Sequence, residues 1–223
     1  MDINHYIEHT NLKPTITESD IDLLVKEARD AHFFGVCVPP FWVKRAAREL
    51  SGSDVQLVTV VGFPLGYQMT EAKLKEMELA IANGANELDI VMNMSSFKTG
   101  LPWTKIELAK CSKLAHDAEC VLKVIIETAY LSEEEIIKAS MLCAEAGVDF
   151  VKTSTGFAPS GAKKEHIEIM RKHLPSNVGI KASGGIKTLA DVQSMVMAGA
   201  DRIGSSSGVA IMKEWNESSQ NFG

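Results

Sequence analysis

The stretches NGANELDI (residues 83–90), EAGVDFVK (residues 145–152) and MAGADRIG (residues 197–204) repeat one pattern along the chain. In each stretch a segment of helical periodicity ends near a glycine, and a short apolar run follows. Glycine commonly follows the last turn of a helix, because its backbone adopts the left-handed conformation without strain. The repeat therefore predicts helices that return to parallel strands, as in proteins built from βα units.

Eight short apolar or β-branched runs alternate with longer segments of 3.6-residue periodicity. Thr17, Thr70, Ser132 and Thr188 are expected to cap helices that follow such runs. No G-x-G-x-x-G motif follows the first run, which disfavours the main alternative, an open doubly wound sheet. Eight units in 223 residues predict a (β/α)8 TIM barrel that forms a single domain over residues 1–223. The predicted strands are Tyr6–Leu12, Phe34–Val38, Gln56–Gly62, Glu87–Met92, Val121–Ile126, Val148–Thr153, Val178–Lys181 and Asp201–Gly204.

The composition limits the cellular compartment and the kinds of binding partner that we expect for this protein. A formal net charge of -6 disfavours nucleic acid and anionic membranes as partners, because both repel an acidic surface. The amino terminus lacks the pattern of a secretory signal, and no apolar run approaches the length of a membrane span. The four cysteines form no C-x-x-C pair and are expected to be buried free thiols. We therefore expect a cytoplasmic protein.

Three polar residues interrupt apolar strands near their carboxyl ends, where TIM barrels carry their reactive groups. They are Asp89, Lys152 and Lys181. Because side chains alternate along a strand, Leu88 and Ile90 would face the helices and Asp89 the barrel interior. The same alternation turns both lysines inward from the adjacent sixth and seventh strands.

The two lysines are expected to affect each other's charge. Neighbouring strands lie about 4.8 Å apart, so the two ammonium groups would be separated by roughly 5 Å. At an effective dielectric constant of about 20, their repulsion is on the order of 3 kcal/mol. One lysine can therefore be uncharged near neutral pH, as an amine nucleophile must be. The alternative is a static network of lysines and carboxylates without catalytic chemistry.

Two glycine and serine loops predict a phosphate site independently of the lysines. Residues 183–185 (SGG) follow the seventh predicted strand, and residues 204–208 (GSSSG) follow the eighth. Such loops expose backbone N–H groups next to helix amino termini, and the loops after strands seven and eight commonly bind phosphate in TIM barrels. Lys187 could add positive charge at the rim.

The remaining polar residues point to no metal and no cofactor. The six histidines show no paired ligand spacing at strand ends, and only His9 is expected near the mouth of the cavity. No serine lies in a Gly-x-Ser-x-Gly context, which disfavours a serine hydrolase. With a metal site and a serine hydrolase disfavoured, we expect a reaction in which a lysine acts as the nucleophile.

The chain resembles the deoxyribose-phosphate aldolase family over nearly its whole length. The resemblance is carried, in family order, by IEHTNLKP (7–14), FGVCVPP (34–40), TVVGFPLG (59–66), NELDIVMN (86–93), LKVIIETAYL (122–131), VKTSTGF (151–157), IKASGGIKT (180–188) and IGSSSG (203–208). It implies a class I enzyme that reversibly cleaves 2-deoxy-D-ribose 5-phosphate to D-glyceraldehyde 3-phosphate and acetaldehyde, without a cofactor. The implied partners are these small phosphorylated sugars and aldehydes, and a homodimer or homotetramer is expected.

The resemblance also implies a role for each matching residue. Lys152 would form the Schiff base, Lys181 would tune it, and Asp89 would transfer protons through water. The implied substrate and phosphate contacts are Thr10, Thr155, Gly156, Gly184, Gly185, Lys187, Gly204, Ser206 and Ser207.

The chain departs from the family pattern at two positions. Glu8 stands where the family usually has aspartate, which could shift contacts with substrate hydroxyls, and Pro39 is unusual. Two rival functions share the fold: a phosphosugar isomerase or other lyase that uses Asp89 without an imine, and a non-enzymatic phosphosugar-binding regulator. The second inward lysine favours the aldolase.

Overall fold

A computed structural model describes residues 2–220 of the chain, and the side chains of residues 2–218. Eight parallel strands form a closed barrel in chain order, and the last strand pairs with the first. This closure excludes the open doubly wound sheet and confirms the TIM barrel. The strands are β1 (Ile7–Thr10), β2 (Gly35–Val38), β3 (Gln56–Val61), β4 (Glu87–Val91), β5 (Val121–Ile125), β6 (Phe150–Lys152), β7 (Gly179–Ser183) and β8 (Arg202–Ser205).

Nine α-helices are present in the described part of the chain. They are α1 (Glu18–Asp30), α2 (Val43–Glu49), α3 (Thr70–Ala82), α4 (Met94–Lys98), α5 (Trp103–Asp117), α6 (Glu133–Glu145), α7 (Lys164–His173), α8 (Leu189–Met197) and α9 (Gly208–Gln220). Short 3-10 helices cover Ile3–Tyr6, Pro40–Trp42 and Thr128–Tyr130. None of the helices between residues 2 and 220 is long and apolar enough to span a bilayer. The last three residues of the tail, 221–223, and residue 1 lie outside the described residues.

Local sequence explains where most helices begin and end. Ser132 and Thr188 each form a capping box. In each box the hydroxyl accepts a hydrogen bond from the backbone N–H three residues later, and the carboxylate of that later residue accepts one from the backbone N–H of the capping residue. Thr17 forms the same arrangement with Asp20. The expected cap at Thr70 is wrong: α3 begins at that residue, and its hydroxyl donates to Glu107 instead. Gly84, Gly147 and Gly199 end helices with positive φ angles of 102°, 80° and 109°, as the repeat predicts.

The two faces of each strand carry different chemistry. Outward side chains such as Leu88, Ile90, Val151 and Ile180 are fully buried against the helices and form the main apolar core. Inside the barrel, Cys37, Val58 and Val60 form a small separate apolar cluster. The inward positions of the other strands hold buried charged residues, so the barrel interior is polar on one side.

Candidate active site

Lys152, Lys181 and Asp89 meet inside the barrel, as the alternation of side chains predicts. Lys152 and Lys181 lie opposite each other in the register of β6 and β7. Both ammonium groups donate to Oδ2 of Asp89, each at 2.7 Å. A third lysine, Lys123 of β5, donates to Oδ1 of the same carboxylate at 3.0 Å. One aspartate thus binds three ammonium groups, and all four side chains are buried.

A second group of charged side chains continues this cluster into the barrel. Glu8 accepts a short hydrogen bond from Lys181 and lies 3.5 Å from the ammonium of Lys123. Lys123 also makes a short ion pair with Glu87. Arg202 of β8 lies 3.2 Å from Glu8 and 3.5 Å from Glu87, and its guanidinium stacks 3.1 Å above the ring centre of Phe34. We call Glu8, Glu87, Asp89, Lys123, Lys152, Lys181 and Arg202 the barrel charge cluster.

The cluster holds the carboxylates of Asp89 and Glu8 ionised. Burial by itself raises the pKa of Asp89, but the lysines Lys123, Lys152 and Lys181 outweigh burial and hold that pKa well below its usual range. Burial likewise raises the pKa of Glu8, and Lys123 and Lys181 bring it below the usual value. Both groups are therefore negatively charged at neutral pH.

Two lysines of the cluster, Lys123 and Lys181, are held in their charged form by the same contacts. Burial lowers the pKa of Lys181, but Asp89 and Glu8 raise it above the usual value. For Lys123, burial is outweighed by Asp89, Glu8 and Glu87, so its pKa is also raised. The repulsion expected between neighbouring lysines is thus compensated at Lys181 by two carboxylates.

A cleft at the carboxyl ends of the strands opens next to this cluster. It encloses about 780 Å³, open solvent included. Lys152 lies at its wall, whereas Asp89 and Lys181 are fully buried behind it. The cleft is lined by Thr10, Asn11, Leu12, Lys13, Lys152, Thr155, Gly156, Ser183, Gly184, Gly185, Ile186, Lys187, Gly204, Ser205 and Ser206.

Almost all of the predicted substrate and phosphate residues therefore line one cleft with Lys152. Ser207 is the exception, since it is not among the lining residues and its backbone N–H donates to Ser205 Oγ at 3.0 Å. Lys13 adds a cation to the cleft that the motif analysis did not single out. Helix α9 begins behind the second loop, so its dipole favours an anion here. The first backbone N–H of α8 already donates to the carboxylate of Glu214.

The glycines of the cleft are required by backbone geometry and by space. Gly184 and Gly185 have φ angles of +86° and +79°, which other residues rarely adopt. A Cβ on Gly204 would lie 3.0 Å from Ser183 Cβ and 3.2 Å from Lys181 Cε. Gly204 therefore leaves room for the side chain of Lys181.

The sequence motifs indicated three of the seven residues of the charge cluster as reactive groups, Asp89, Lys152 and Lys181. Lys123 alternates with the apolar Leu122 and Val124, so the rule that located Lys152 also turns it inward. The same rule applies to Glu87 and Arg202. The placement of His9 near the cavity mouth is wrong, because its Nε2 lies 2.8 Å from Glu27 of α1 and its ring packs 5.3 Å from that of Phe33, on the helix side of β1.

Among residues 2–220, no three histidine, cysteine, aspartate or glutamate side chains are grouped in a way that could hold a metal ion. The inward carboxylates of Glu8, Glu87 and Asp89 are instead bound to lysines and an arginine. The positive charges that neutralise these carboxylates are therefore side chains of the protein itself.

Comparison with known proteins finds aldolases that match nearly the whole length of the chain. Residues 3–214 match the family model described as "DeoC/LacD family aldolase". A deoxyribose-phosphate aldolase of Brevibacillus brevis is 51% identical over 213 residues, which are 95% of this chain and 96% of the relative. A solved structure described as "QR15, an Aldolase" superposes with a TM-score of 0.94 at 41% identity and covers 100% of both chains. A structure described as "Unique tetrameric structure of deoxyribose phosphate aldolase from Aeropyrum pernix" has a TM-score of 0.90 at 33% identity, covering 96% of this chain and 91% of the other.

Proposed function

Because this chain belongs to the DeoC/LacD family of aldolases, we propose that it cleaves 2-deoxy-D-ribose 5-phosphate reversibly into D-glyceraldehyde 3-phosphate and acetaldehyde. The proposed intermediate is a Schiff base on Lys152. The observation that carries this assignment is the position of Lys152, which lines the cleft while its ammonium group shares Asp89 with Lys181.

The charge count of the cluster supports Lys152 as the nucleophile. Fully ionised, the cluster has four positive and three negative groups, so it is balanced when one lysine is neutral. Lys123 contacts three carboxylates and Lys181 contacts two, whereas Lys152 contacts one and shares it. Lys152 is therefore the lysine that loses least when it gives up its proton, and a neutral amine is the attacking form.

The reaction then proceeds through a covalent intermediate. The lone pair of Lys152 Nζ adds to C1 of the open-chain sugar, and the carbinolamine loses water to give an iminium. When the C3 hydroxyl loses its proton, the C2–C3 bond breaks and its electron pair moves towards the iminium nitrogen, leaving an enamine and releasing glyceraldehyde 3-phosphate. Protonation of the enamine at C2 and addition of water release acetaldehyde and restore Lys152, so the iminium replaces one high barrier by several lower ones.

Asp89 and Lys181 serve this sequence as a proton relay. Because the pKa of Asp89 is held well below its usual range, its carboxylate does not retain a proton. In the proposed relay this ionised carboxylate orients a water molecule and accepts its proton only transiently, while charged Lys181, which donates to Asp89 at 2.7 Å, keeps it in place. Such positioned acid–base groups contribute about 10²- to 10⁴-fold to a rate.

The glycine and serine loops bind the phosphate of the sugar. Backbone N–H groups of Gly184, Gly185 and the Gly204–Ser206 segment, with the amino terminus of α9, provide partial positive charge. Lys13 and Lys187 line the same cleft. Holding the phosphate fixes the distance between the sugar carbonyl and Lys152, which is the orientation that catalysis needs.

We also propose that the protein acts in the cytoplasm as a homodimer or homotetramer. All four cysteines are free and buried, as suits a reducing compartment. A relative from Aeropyrum pernix is described as tetrameric. Size-exclusion chromatography with light scattering measures the assembly directly.

The decisive experiment is turnover of 2-deoxy-D-ribose 5-phosphate by the purified protein in excess chelator, with both products identified by mass spectrometry. We expect glyceraldehyde 3-phosphate and acetaldehyde in equal amounts, and undiminished activity with the chelator. An absolute requirement for an added divalent ion overturns the Schiff-base mechanism. Binding or isomerisation of the sugar phosphate without cleavage overturns the function.

A further inference from the structure

Glu127 is a buried carboxylate beside the cleft with no part in the steps above. It follows β5 at the carboxyl end of the barrel and precedes the short 3-10 helix at Thr128–Tyr130. Its side chain lines a small cavity that is otherwise mainly apolar, between the loops after β3, β4, β5 and β6. Only 5% of its surface is exposed.

The backbone of Glu127 is held in an uncommon conformation. Among the described residues, the non-glycine positions with positive φ are His32, Glu119 and Glu127. His32 and Glu119 follow the ends of α1 and α5, where left-handed residues commonly terminate helices. Glu127 has φ 48° and ψ 71° two residues after the end of β5, on the catalytic side of the barrel. Conformations of this kind in non-glycine residues are concentrated at functional sites.

The Glu127 carboxylate is directed at one residue of the cleft. Its Oε2 accepts from the backbone N–H of Thr155 at 3.2 Å and from the Thr155 hydroxyl at 2.5 Å. The hydroxyl oxygen in turn accepts from the backbone N–H of Phe157 at 3.1 Å. The carboxylate thus fixes the direction of the hydroxyl proton and, through it, the turn at residues 155–157.

This turn follows Lys152 by three residues and is held from two sides. On the β7 side, Thr153 and Ser154 exchange hydrogen bonds with Ser183. On the β5 side, Thr155 donates hydrogen bonds to the carboxylate of Glu127. Thr155 lines both the cleft with Lys152 and the apolar cavity with Glu127, so it connects the two.

Glu127 differs from the carboxylates of the barrel charge cluster in having no cation against it. Within residues 2–220, the hydrogen bonds to its carboxylate all come from Thr155, and the carboxylate makes no ion pair. Burial raises the pKa of its carboxyl group, while the bonds from Thr155 and the charge of Lys152 act in the opposite direction. A buried carboxylate without a cation beside it lowers the stability of the folded protein, which argues that its presence serves a specific function.

We propose that Glu127 is a positioning residue of the aldol reaction, whose carboxylate orders the Thr155–Phe157 turn so that Thr155 and Gly156 hold the sugar phosphate against Lys152. The inference rests on the proposed function of the cleft. It assigns no chemistry on the reacting atoms to Glu127, so formation of the imine by Lys152 does not depend on it.

The test uses the intact protein and compares Glu127→Gln and Glu127→Gly with Glu134→Gln, an exposed glutamate of α6. Glutamine keeps an acceptor oxygen without the charge, and glycine keeps the left-handed backbone without the side chain. We expect kcat/KM for 2-deoxy-D-ribose 5-phosphate to fall about fivefold with glutamine and about fiftyfold with glycine, because a misplaced substrate reacts slowly. Borohydride trapping of acetaldehyde on Lys152 should stay at the wild-type level in all three variants, which also verifies the folded site.

A second pair of variants identifies the partner. Thr155→Ser keeps the hydroxyl and should retain most activity, whereas Thr155→Val should behave like the Glu127 variants. In the double variant Glu127→Gln/Thr155→Val the two losses should not multiply, because both remove one contact. Wild-type activity in Glu127→Gly, loss of acetaldehyde trapping, or fully multiplicative losses overturn the inference. Absence of sugar phosphate cleavage in the wild type overturns the proposed function instead.

Discussion

The ammonium groups of Lys152 and Lys181 bind the same oxygen of Asp89, each at 2.7 Å. They are therefore no farther apart than about twice that distance, which agrees with the roughly 5 Å inferred from the spacing of strands. Their repulsion acts within a network of carboxylates that favours Lys181 as the charged member, since Lys181 binds Glu8 as well. The static network weighed as an alternative in the sequence is present, and we propose that it is the environment that leaves Lys152 reactive.

Replacement of Lys152 by alanine should abolish both covalent trapping and turnover. Incubation of the wild type with acetaldehyde and borohydride should add one two-carbon unit, located by peptide mass spectrometry on the peptide that holds Lys152. Lys172→Ala, at an exposed lysine of α7, should leave trapping unchanged. Labelling of Lys181 or Lys123 in the wild type would show that the roles of the lysines are assigned wrongly.

Replacement of Lys181 by leucine should shift the pH profile of kcat/KM towards alkaline pH. Without the neighbouring charge, Asp89 and Glu8 hold the proton on the remaining lysines more tightly, so the neutral amine forms only at lower proton concentration. Activity at neutral pH should fall by about 10² or more and recover partly in alkali. Lys181→Arg should not restore it, since the wider, forked guanidinium does not fit the space beside Gly204. An unmoved pH profile in Lys181→Leu would rule out the tuning role.

Replacement of Lys123 by methionine should destabilise the fold strongly. It leaves Glu8, Glu87 and Asp89 each without one of their cations in the barrel interior. Breaking one partner of a buried ion pair costs about 3–5 kcal/mol of unfolding free energy. Lys113→Met, which removes an exposed pair with Asp117, should change that free energy by less than about 1 kcal/mol. Equal unfolding free energies in urea for both variants would contradict the structural role of Lys123.

The unfolding free energy should decrease in acid because of Asp89 and Glu8. Both have a lower pKa in the folded state than their ordinary values of 3.8 and 4.5, so the unfolded chain binds more protons in acid. Their stabilisation is fully present above about pH 4.5 and is lost progressively as the pH falls through the folded values. Urea unfolding over this range tests the sign, and Glu8→Gln should reduce the slope. A stability that rises as the pH falls below 4.5 would contradict the charged state of the cluster.

The phosphate of the substrate should be needed for efficient turnover. We expect kcat/KM for 2-deoxy-D-ribose to be about a hundredfold lower than for its 5-phosphate, because hydrogen bonds to a charged group contribute about 1.5–3 kcal/mol each. Ser206→Asp places a negative charge in the cleft and should raise KM for the phosphorylated sugar. Ser51→Asp, which adds the same charge at an exposed loop before β3, is the control and should have no effect. Equal efficiency with both sugars would exclude a phosphate site at the two loops.

The sequence determined the order of the elements and the inward face of each strand. Strand alternation by itself places Asp89, Lys152 and Lys181 inside the barrel, and the glycine repeat locates the ends of the helices. The sequence does not specify the ends of the strands: β6 is Phe150–Lys152 where the pattern predicts Val148–Thr153, and β7 extends to Ser183 where it predicts an end at Lys181. These ends depend on pairing with neighbouring strands, which local pattern does not specify.

Alternation also predicts that Lys123, Glu87 and Arg202 face inward, but it does not say which charges meet or in what number. That is decided by the register of the closed barrel, which brings inward side chains of β1, β4, β5, β6, β7 and β8 together and lets Asp89 bind three lysines. The contact of Glu127 with Thr155 has the same origin, because the two residues are 28 positions apart and meet through the pairing of β5 with β6. Local pattern sets the direction of a side chain, since it depends on one strand. The charge balance that distinguishes one lysine from another depends on distances between strands, and only the folded barrel fixes those.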